Sequence, residues 1–341
     1  MTDAPRPGTD EWRALVDEPI VDPDQRMIDA HHHLWPPGEG MAYGVAELAA
    51  DAGCGHNVVR TVFVECRSSY RTDGPPELAP LGETEFVAAA AAEGGGLIGG
   101  IVAHADLRLP QLDDILDAHE EAGRGLFRGI RHSLSRGDRA DGLTIPGRAP
   151  EGLSEDPAFR AGVARLGERG LTYDTWQYHF QAREFLDLAR DVPDTLMVLD
   201  HFCTPLGVGR FEGRRDELFD QWRDDIAEIA RCDNVVAKLG GLAMPDNGFG
   251  WNTAARPPTS DEFVSAQGRY YQHTLDCFGP ERCLFESNFP VDRLSLSYRT
   301  LGNAVKKIVQ DCSPDERDAV LYGTAARVYR LDDHTDGSIP G

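Results

Sequence analysis

Met27-Ile28-Asp29-Ala30-His31-His32-His33-Leu34-Trp35 is the stretch whose reading decides the rest of the chain. It is a short apolar run ending in three consecutive imidazoles. In an extended segment alternate side chains share a face, so His31 and His33 point one way and His32 the other. Two neutral imidazoles on one face, at the end of a buried strand, can chelate a transition metal such as zinc. The same pattern also suits a polar strand end in which a histidine is satisfied by a backbone group. The metal reading therefore needs further ligands from elsewhere in the chain.

Working outward, the 341 residues can bury the core of one elaborated α/β barrel. A formal net charge of −23 argues against nucleic acid or an anionic membrane as partner, because nothing here would neutralise phosphates. A local basic pocket remains compatible with it. The seven cysteines are dispersed and form no CxxC pair, which points to a reducing compartment rather than a disulfide framework. Residues 1–10 are polar and proline-containing, with no apolar signal core. The longest clearly apolar run, 86–92, is too short to span a bilayer. The expectation is a soluble cytoplasmic protein with a small-molecule substrate and no nucleic-acid or membrane partner. A homo-oligomer is compatible with all of this.

Taken in order, the chain reads as an irregular arm (1–25) followed by one barrel domain (26–341). Strands are expected at 26–31, 58–66, 97–102, 126–131, 171–176, 195–199, 234–239 and 282–286, from their short β-branched and apolar runs. Helices are expected between them, at about 82–93, 111–122, 181–190, 214–231, 261–278 and 298–310. Another opens at Asp156-Pro157 in the favoured cap-then-proline order. Leu218, Trp222, Ile226 and Ile229 form a helical apolar stripe. Residues 136–155 read as a long Gly/Pro-rich loop. Eight strands alternating with helices imply parallel pairing and closure into a (β/α)₈ TIM barrel. The rival, a doubly wound open sheet, lacks a GxGxxG or phosphate loop after any early strand. A barrel demands that its chemistry sit at strand C-terminal ends. There the sequence places His31 and His33, Arg131 and His132, Tyr178 and His179, Asp200 and His201, and Glu286, Asn288 and Asp292.

These strand ends resemble a known family. His31-x-His33 after Ile-Asp-Ala, Leu199-Asp200-His201-Phe202, Val236-Ala237-Lys238-Leu239-Gly240-Gly241-Leu242 and Phe285-Glu286-Ser287-Asn288-Phe289-Pro290 look like the amidohydrolase superfamily. The similarity runs over about 26–331. It points to the branch holding sugar-acid and pyrone-dicarboxylate lactonases and aminocarboxymuconate-semialdehyde decarboxylase. The resemblance implies that His31, His33 and His179 hold a divalent metal, with zinc expected, and that His201 assists catalysis. It also implies a strand-eight aspartate that ligates metal and handles the proton of the attacking water. Here that position is Asn288, whose amide oxygen coordinates weakly and cannot act as a base. His201, with a suitable ordinary pKa, is the favoured base. Glu286 and Asp292 are the other candidates. Glu286 reads equally well as the partner of a barrel cation such as Lys238, and Asp292 as a loop cap or surface residue. A metal-free site, known in this branch, stays open.

The expected activity is metal-assisted hydrolysis of a lactone or other ester of a small carboxylated metabolite. Arg67, Tyr70, Arg128 and Arg131 are candidates for the substrate carboxylate, by two-point pairing, or else for ordinary ion pairs. Trp176, with Trp35, Phe202 and Phe289, is a candidate for an apolar pocket wall, or else for simple packing at the strand ends. His104 and Cys66 read as supporting or core residues. The alternatives are a decarboxylase of the same architecture and a catalytically silent, metabolite-binding barrel.

Overall fold

The computed structural model describes residues 4–331. Its strands are β1 (Arg26–His32), β2 (Asn57–Val64), β3 (Ile98–Ala103), β4 (Phe127–Arg131), β5 (Thr172–Thr175), β6 (Met197–Leu199), β7 (Val235–Leu239) and β8 (Cys283–Phe285). They pair in parallel in that order. Between β8 and β1 the ring is drawn together just beyond the strand ends. There the Asn288 amide donates to the His31 carbonyl at 2.9 Å and the His33 amide to the Phe289 carbonyl at 2.8 Å. The result is the (β/α)₈ TIM barrel.

The helices follow the expected alternation. The described chain carries α1 (Asp10–Arg13), α2 (Val45–Ala52), α3 (Leu81–Glu93), α4 (Leu112–Ala122), α5 (Pro157–Glu168), α6 (Ala182–Asp191), α7 (Arg215–Ile229), α8 (Ser260–Phe278), α9 (Tyr298–Ile308), α10 (Pro314–Asp318) and α11 (Thr324–Val328). α1 and α2 are additions to the reading of the sequence. The first lies in the N-terminal arm, where buried Trp12 donates its indole N–H to the Ala254 carbonyl at 3.0 Å. At α5 the Asp156 carboxylate caps the Ala158 amide and proline holds the first turn, as the sequence implies. No helix among the described residues is long and apolar enough to cross a membrane.

Alternation along the strands builds two cores. Outward residues such as Met27, Phe63, Ile101, Tyr173, Met197 and Phe285 pack under the helices. Inward residues, among them Ile28, Ala30, Val62, Val102, Val198 and Leu284, fill the lower barrel and meet Val328 and Tyr329 of the C-terminal segment. That segment plugs the N-terminal end with apolar side chains, so the inner layer there contributes packing and excludes water. The opposite end carries a different layer.

Candidate active site

The departure begins in β1. Ala30 belongs to the inner apolar core, yet the next residue, His31, also faces inward and reaches Lys238. The pairing of β1 with β2 slips between Asp29 and His32. Such a bulge re-aims the following side chain. His31 and His33 then share the inner side, and His32 turns outward to Thr61 at 3.0 Å and packs on Phe63. Asp29 also faces outward. It accepts from the Ser287 amide and hydroxyl and the Tyr298 hydroxyl, and burial raises its pKa to about 6 against those bonds.

The inner layer is charged and fully buried. Lys238 of β7 lies 2.9 Å from both Asp174 of β5 and Asp200 after β6. Burial opposes the charge of Lys238, but Asp174, Asp200 and Glu286 more than offset this and hold its pKa above the ordinary value. Asp174 also accepts from the Tyr329 hydroxyl of the plug at 2.5 Å. Arg131, at the end of β4, donates to Glu65 at 3.0 Å and lies 3.4 Å from Asp200. The cluster thus holds each buried cation against carboxylates, as burial of charge requires.

Three imidazoles meet this layer from above. His33 Nδ1 faces the Val64 carbonyl at 2.8 Å, and a carbonyl only accepts, so Nδ1 carries the proton. His201 Nδ1 lies 2.7 Å from Glu286 Oε1, and His31 Nδ1 lies 2.9 Å from Glu286 Oε2. A bare nitrogen 2.7 Å from a carboxylate would set lone pair against lone pair, so His201 Nδ1 is protonated. His31 Nδ1 lies between Glu286 and the Lys238 ammonium at 3.3 Å, and the Arg131 guanidinium, which only donates, faces His31 Nε2, so the His31 proton sits on Nδ1. Burial works against the charge of Glu286, but His201 and His31 outweigh it and bring the pKa down to about 2. His31 and His33 are held neutral, well below the ordinary histidine pKa, by burial first and then by Lys238 and Arg131 respectively.

It follows that the Nε2 atoms of His31 and His33 are bare, and they lie 3.3 Å apart. Two nitrogens each about 2.0–2.1 Å from one tetrahedral zinc are separated by about 3.3–3.4 Å, so the pair is set at ligand spacing. Arg131 Nη1, 3.3 Å from His31 Nε2, is the donor the protein itself supplies there. His31, His201 and Glu286 also offer ligand atoms all within 4.8 Å of one another. The donor set, imidazole nitrogens beside carboxylates, fits a divalent ion of the zinc type.

Backbone geometry makes room for this. Residues 201–204 run through left-handed conformations, with φ of 53° at His201. Gly241, itself at φ 70°, is needed here, because a Cβ would come within 2.1 Å of His201 Nδ1. A Cβ on Gly240 would meet the Glu286 carbonyl at 2.2 Å. Asn288 is also left-handed, at φ 55°. Its Nδ2 donates to buried Asp292 at 2.8 Å, which directs the amide oxygen the other way. Asp292 also accepts from the Ala243 amide, and burial raises its pKa to about 7.

A cavity of about 770 Å³ opens onto these groups, with His33, Arg131, His201 and Asn288 in its floor and Arg67 and Trp176 in its walls. The structure does not bring His179 to the metal-type group. The chain leaves β5 at Thr175, and the His179 ring turns onto Phe211 at 4.9 Å while its Nδ1 accepts from the Leu206 amide. Arg128 lies near the N-terminal start of β4 and donates to the Gly125 and Phe127 carbonyls, at the end of the barrel away from the cavity. Tyr70 does not line the cavity, and its buried hydroxyl lacks a hydrogen-bond partner among the described residues. Asp292 is wholly buried rather than at the surface, and Lys238 pairs with Asp174 and Asp200, leaving Glu286 to the histidines. The roles of Asp174 and Glu65 were not read from the sequence. Lys238 itself was a signal, since a lysine inside an apolar parallel strand is rarely buried without carboxylate partners.

A family model described as "Amidohydrolase" matches residues 28–331. The chain is a member of the amidohydrolase family. An uncharacterised protein of Sinorhizobium fredii is 33% identical over 330 residues, covering 90% of this amidohydrolase and 99% of the relative. An L-fucono-1,5-lactonase of Burkholderia multivorans is 30% identical over 321 residues, covering 92% and 98%. An amidohydrolase from Burkholderia multivorans, solved with zinc bound, superposes with a TM-score of 0.70 at 27% identity, covering 90% and 99%. The protein is accordingly an amidohydrolase-superfamily hydrolase.

Proposed function

We propose that this amidohydrolase is a lactonase that opens the lactone of a small sugar-acid-like metabolite with the help of a divalent ion, zinc by ligand type. One observation carries the reading: the bare His31 and His33 Nε2 atoms lie 3.3 Å apart, with His33 in the cavity floor, His31 buried against it, and both Nδ1 atoms committed elsewhere. His31 and His33 would hold the ion, with His201 and Asn288 beside it. When bound, it would polarise the lactone carbonyl and acidify a water. Similarity to an L-fucono-1,5-lactonase supports the choice of a lactone over other esters. Seven free thiols support a cytoplasmic setting.

The protein's own groups divide the proton work. His201 Nδ1–H donates to Glu286, leaving Nε2 as the ring atom that takes the proton of the attacking water and returns it to the leaving ring oxygen. Glu286, ionised through the working pH range, stabilises the imidazolium formed on the way. Asp292 holds the Asn288 amide so that its oxygen accepts rather than donates toward the substrate. Arg131 is anchored by Glu65 and Asp200 beside the histidines, where it meets negative charge developing on the carbonyl oxygen.

The test is hydrolysis of a panel of aldono-1,5-lactones, followed as acid release. Ring opening is expected, and His201→Gln should lower kcat by about a hundredfold or more. Release of CO₂ from carboxylated substrates without ring opening would replace this reading with a decarboxylase.

A further inference from the structure

Above the buried histidines the cavity mouth carries a charge opposite to that of the chain. The protein has 57 acidic against 34 basic residues, yet five arginines (67, 108, 131, 139 and 148) line this cavity against the carboxylates of Glu65 and Asp106. Two of the five are engaged. Arg131 is held by Glu65 and Asp200, and Arg108 makes a two-point contact with Asp106 at 2.9 and 2.7 Å. For Arg67, Arg139 and Arg148 there is no side-chain hydrogen bond or ion pair among the described residues, and all three are exposed.

The backbone that carries these arginines is anchored. Arg67 sits at φ 63°, a strained conformation for a non-glycine residue. Buried Glu83 locks that turn by accepting from the Cys66 amide at 3.0 Å and the Ser68 amide at 2.7 Å, on either side of Arg67. Arg139 and Arg148 belong to the loop between β4 and α5. Its two limbs pair where Arg136 lies opposite Arg148. The Tyr178 hydroxyl fixes the Gly147 amide at 2.8 Å, and Asp246 takes the Thr144 and Ile145 amides at 2.7 and 3.0 Å. Strain held by one buried carboxylate on one side, and a loop tied down on the other, present guanidinium groups to one cavity.

We propose that Arg67, Arg139 and Arg148 form an anion subsite that holds a carboxylate or phosphate on the substrate, remote from the bond that is cut. The inference rests on the lactonase reading for the reacting end, and it commits the substrate to a lactone that carries a separate anionic group. Guanidinium forks suit either anion, since both present paired oxygens.

The test compares kcat/KM of the whole protein for D-glucono-1,5-lactone, D-glucaro-1,4-lactone and 6-phospho-D-glucono-1,5-lactone. It uses the native chain, Arg67→Ser, and Arg139→Ser combined with Arg148→Ser. The native protein should favour an anionic lactone by roughly tenfold or more, the range for charge-assisted hydrogen bonds. The preference should shrink in the variants and with added salt. Which anionic lactone wins assigns carboxylate or phosphate. Equal rates on neutral and anionic lactones, or variants that keep the preference, would overturn the subsite. If no lactone is opened, the lactonase reading falls, and calorimetry with tricarballylate and with inorganic phosphate decides the subsite alone. Binding by the native protein that weakens about tenfold in the double variant supports it; no binding by the native protein overturns it.

Discussion

The two ends of this barrel are built from the same strands and do opposite work. At the N-terminal end, Ile28, Val62, Val198 and Leu284 meet the plug residues Val328 and Tyr329 in a layer of apolar packing. At the C-terminal end, the next inward residues of β5, β6, β7 and β8 are Asp174, Asp200, Lys238 and Glu286, all fully buried. One strand register separates a layer whose energy comes from dehydration from one whose charges must be balanced against each other. Tyr329 bridges the two, through Asp174.

The contrast breaks most sharply at Lys238. Lys238→Met leaves Asp174 buried without a cation and Asp200 with Arg131 alone, and should cost about 3–5 kcal/mol of stability, the range for breaking a buried pair. Chemical denaturation measures it, and a loss within the range of a surface substitution would show that the charged layer does not depend on this balance.

Asp292 comes next, through pH. Its folded pKa, about 7, lies above the ordinary value of 3.8. The group is protonated in both states below pH 4, so its contribution to stability is whole there. As pH rises from 4 through 7, the unfolded chain releases the proton and the folded one keeps it, so stability falls. Asp292→Asn should remove that decline, which for one group approaches about 1.4 kcal/mol per pH unit. Parallel stability profiles for the two proteins would remove Asp292 from the account.

Glu286→Gln separates activity from packing. The amide keeps the volume but cannot accept from both His31 and His201 with a charge, so kcat should fall about a hundredfold, the scale for a positioned acid–base system. Glu286 also gives the opposite pH sign. With a folded pKa of about 2, its contribution is present above the ordinary value of 4.5 and is lost as pH falls toward 2. The smallest effect belongs to the other end. Tyr329→Phe removes one hydroxyl from Asp174 and should cost about 1–2 kcal/mol of stability while leaving KM alone. A shift in KM would mean that the plug reaches the substrate.

Much of this was legible in the residues. The strand and helix segments stand close to where apolar runs and capping signals place them, and period-two alternation puts His31 and His33 on one face and His32 on the other. What periodicity cannot report is the bulge between Asp29 and His32, which carries His31 over Lys238. His179 looked like a strand-end ligand, but β5 ends at Thr175 and the chain has turned before it arrives. Asp292, after a proline and a valine, reads as a loop cap or surface residue. A short 3-10 turn over Asp292–Leu294 instead places its carboxylate under Asn288. Arg128 and Arg131 share β4 and differ in role because three residues of strand separate the two ends of the barrel. The cationic mouth depends on Arg139 and Arg148, which lie in a loop whose composition marks it only as irregular.

The central claim is that the bare Nε2 pair of His31 and His33 is a metal site. Elemental analysis of the purified protein tests it most directly. The account predicts close to one divalent ion per chain, zinc by ligand type, and none in the protein carrying both His31→Ala and His33→Ala. Full occupancy in that double variant, or a native protein that opens lactones with no stoichiometric metal, would contradict it.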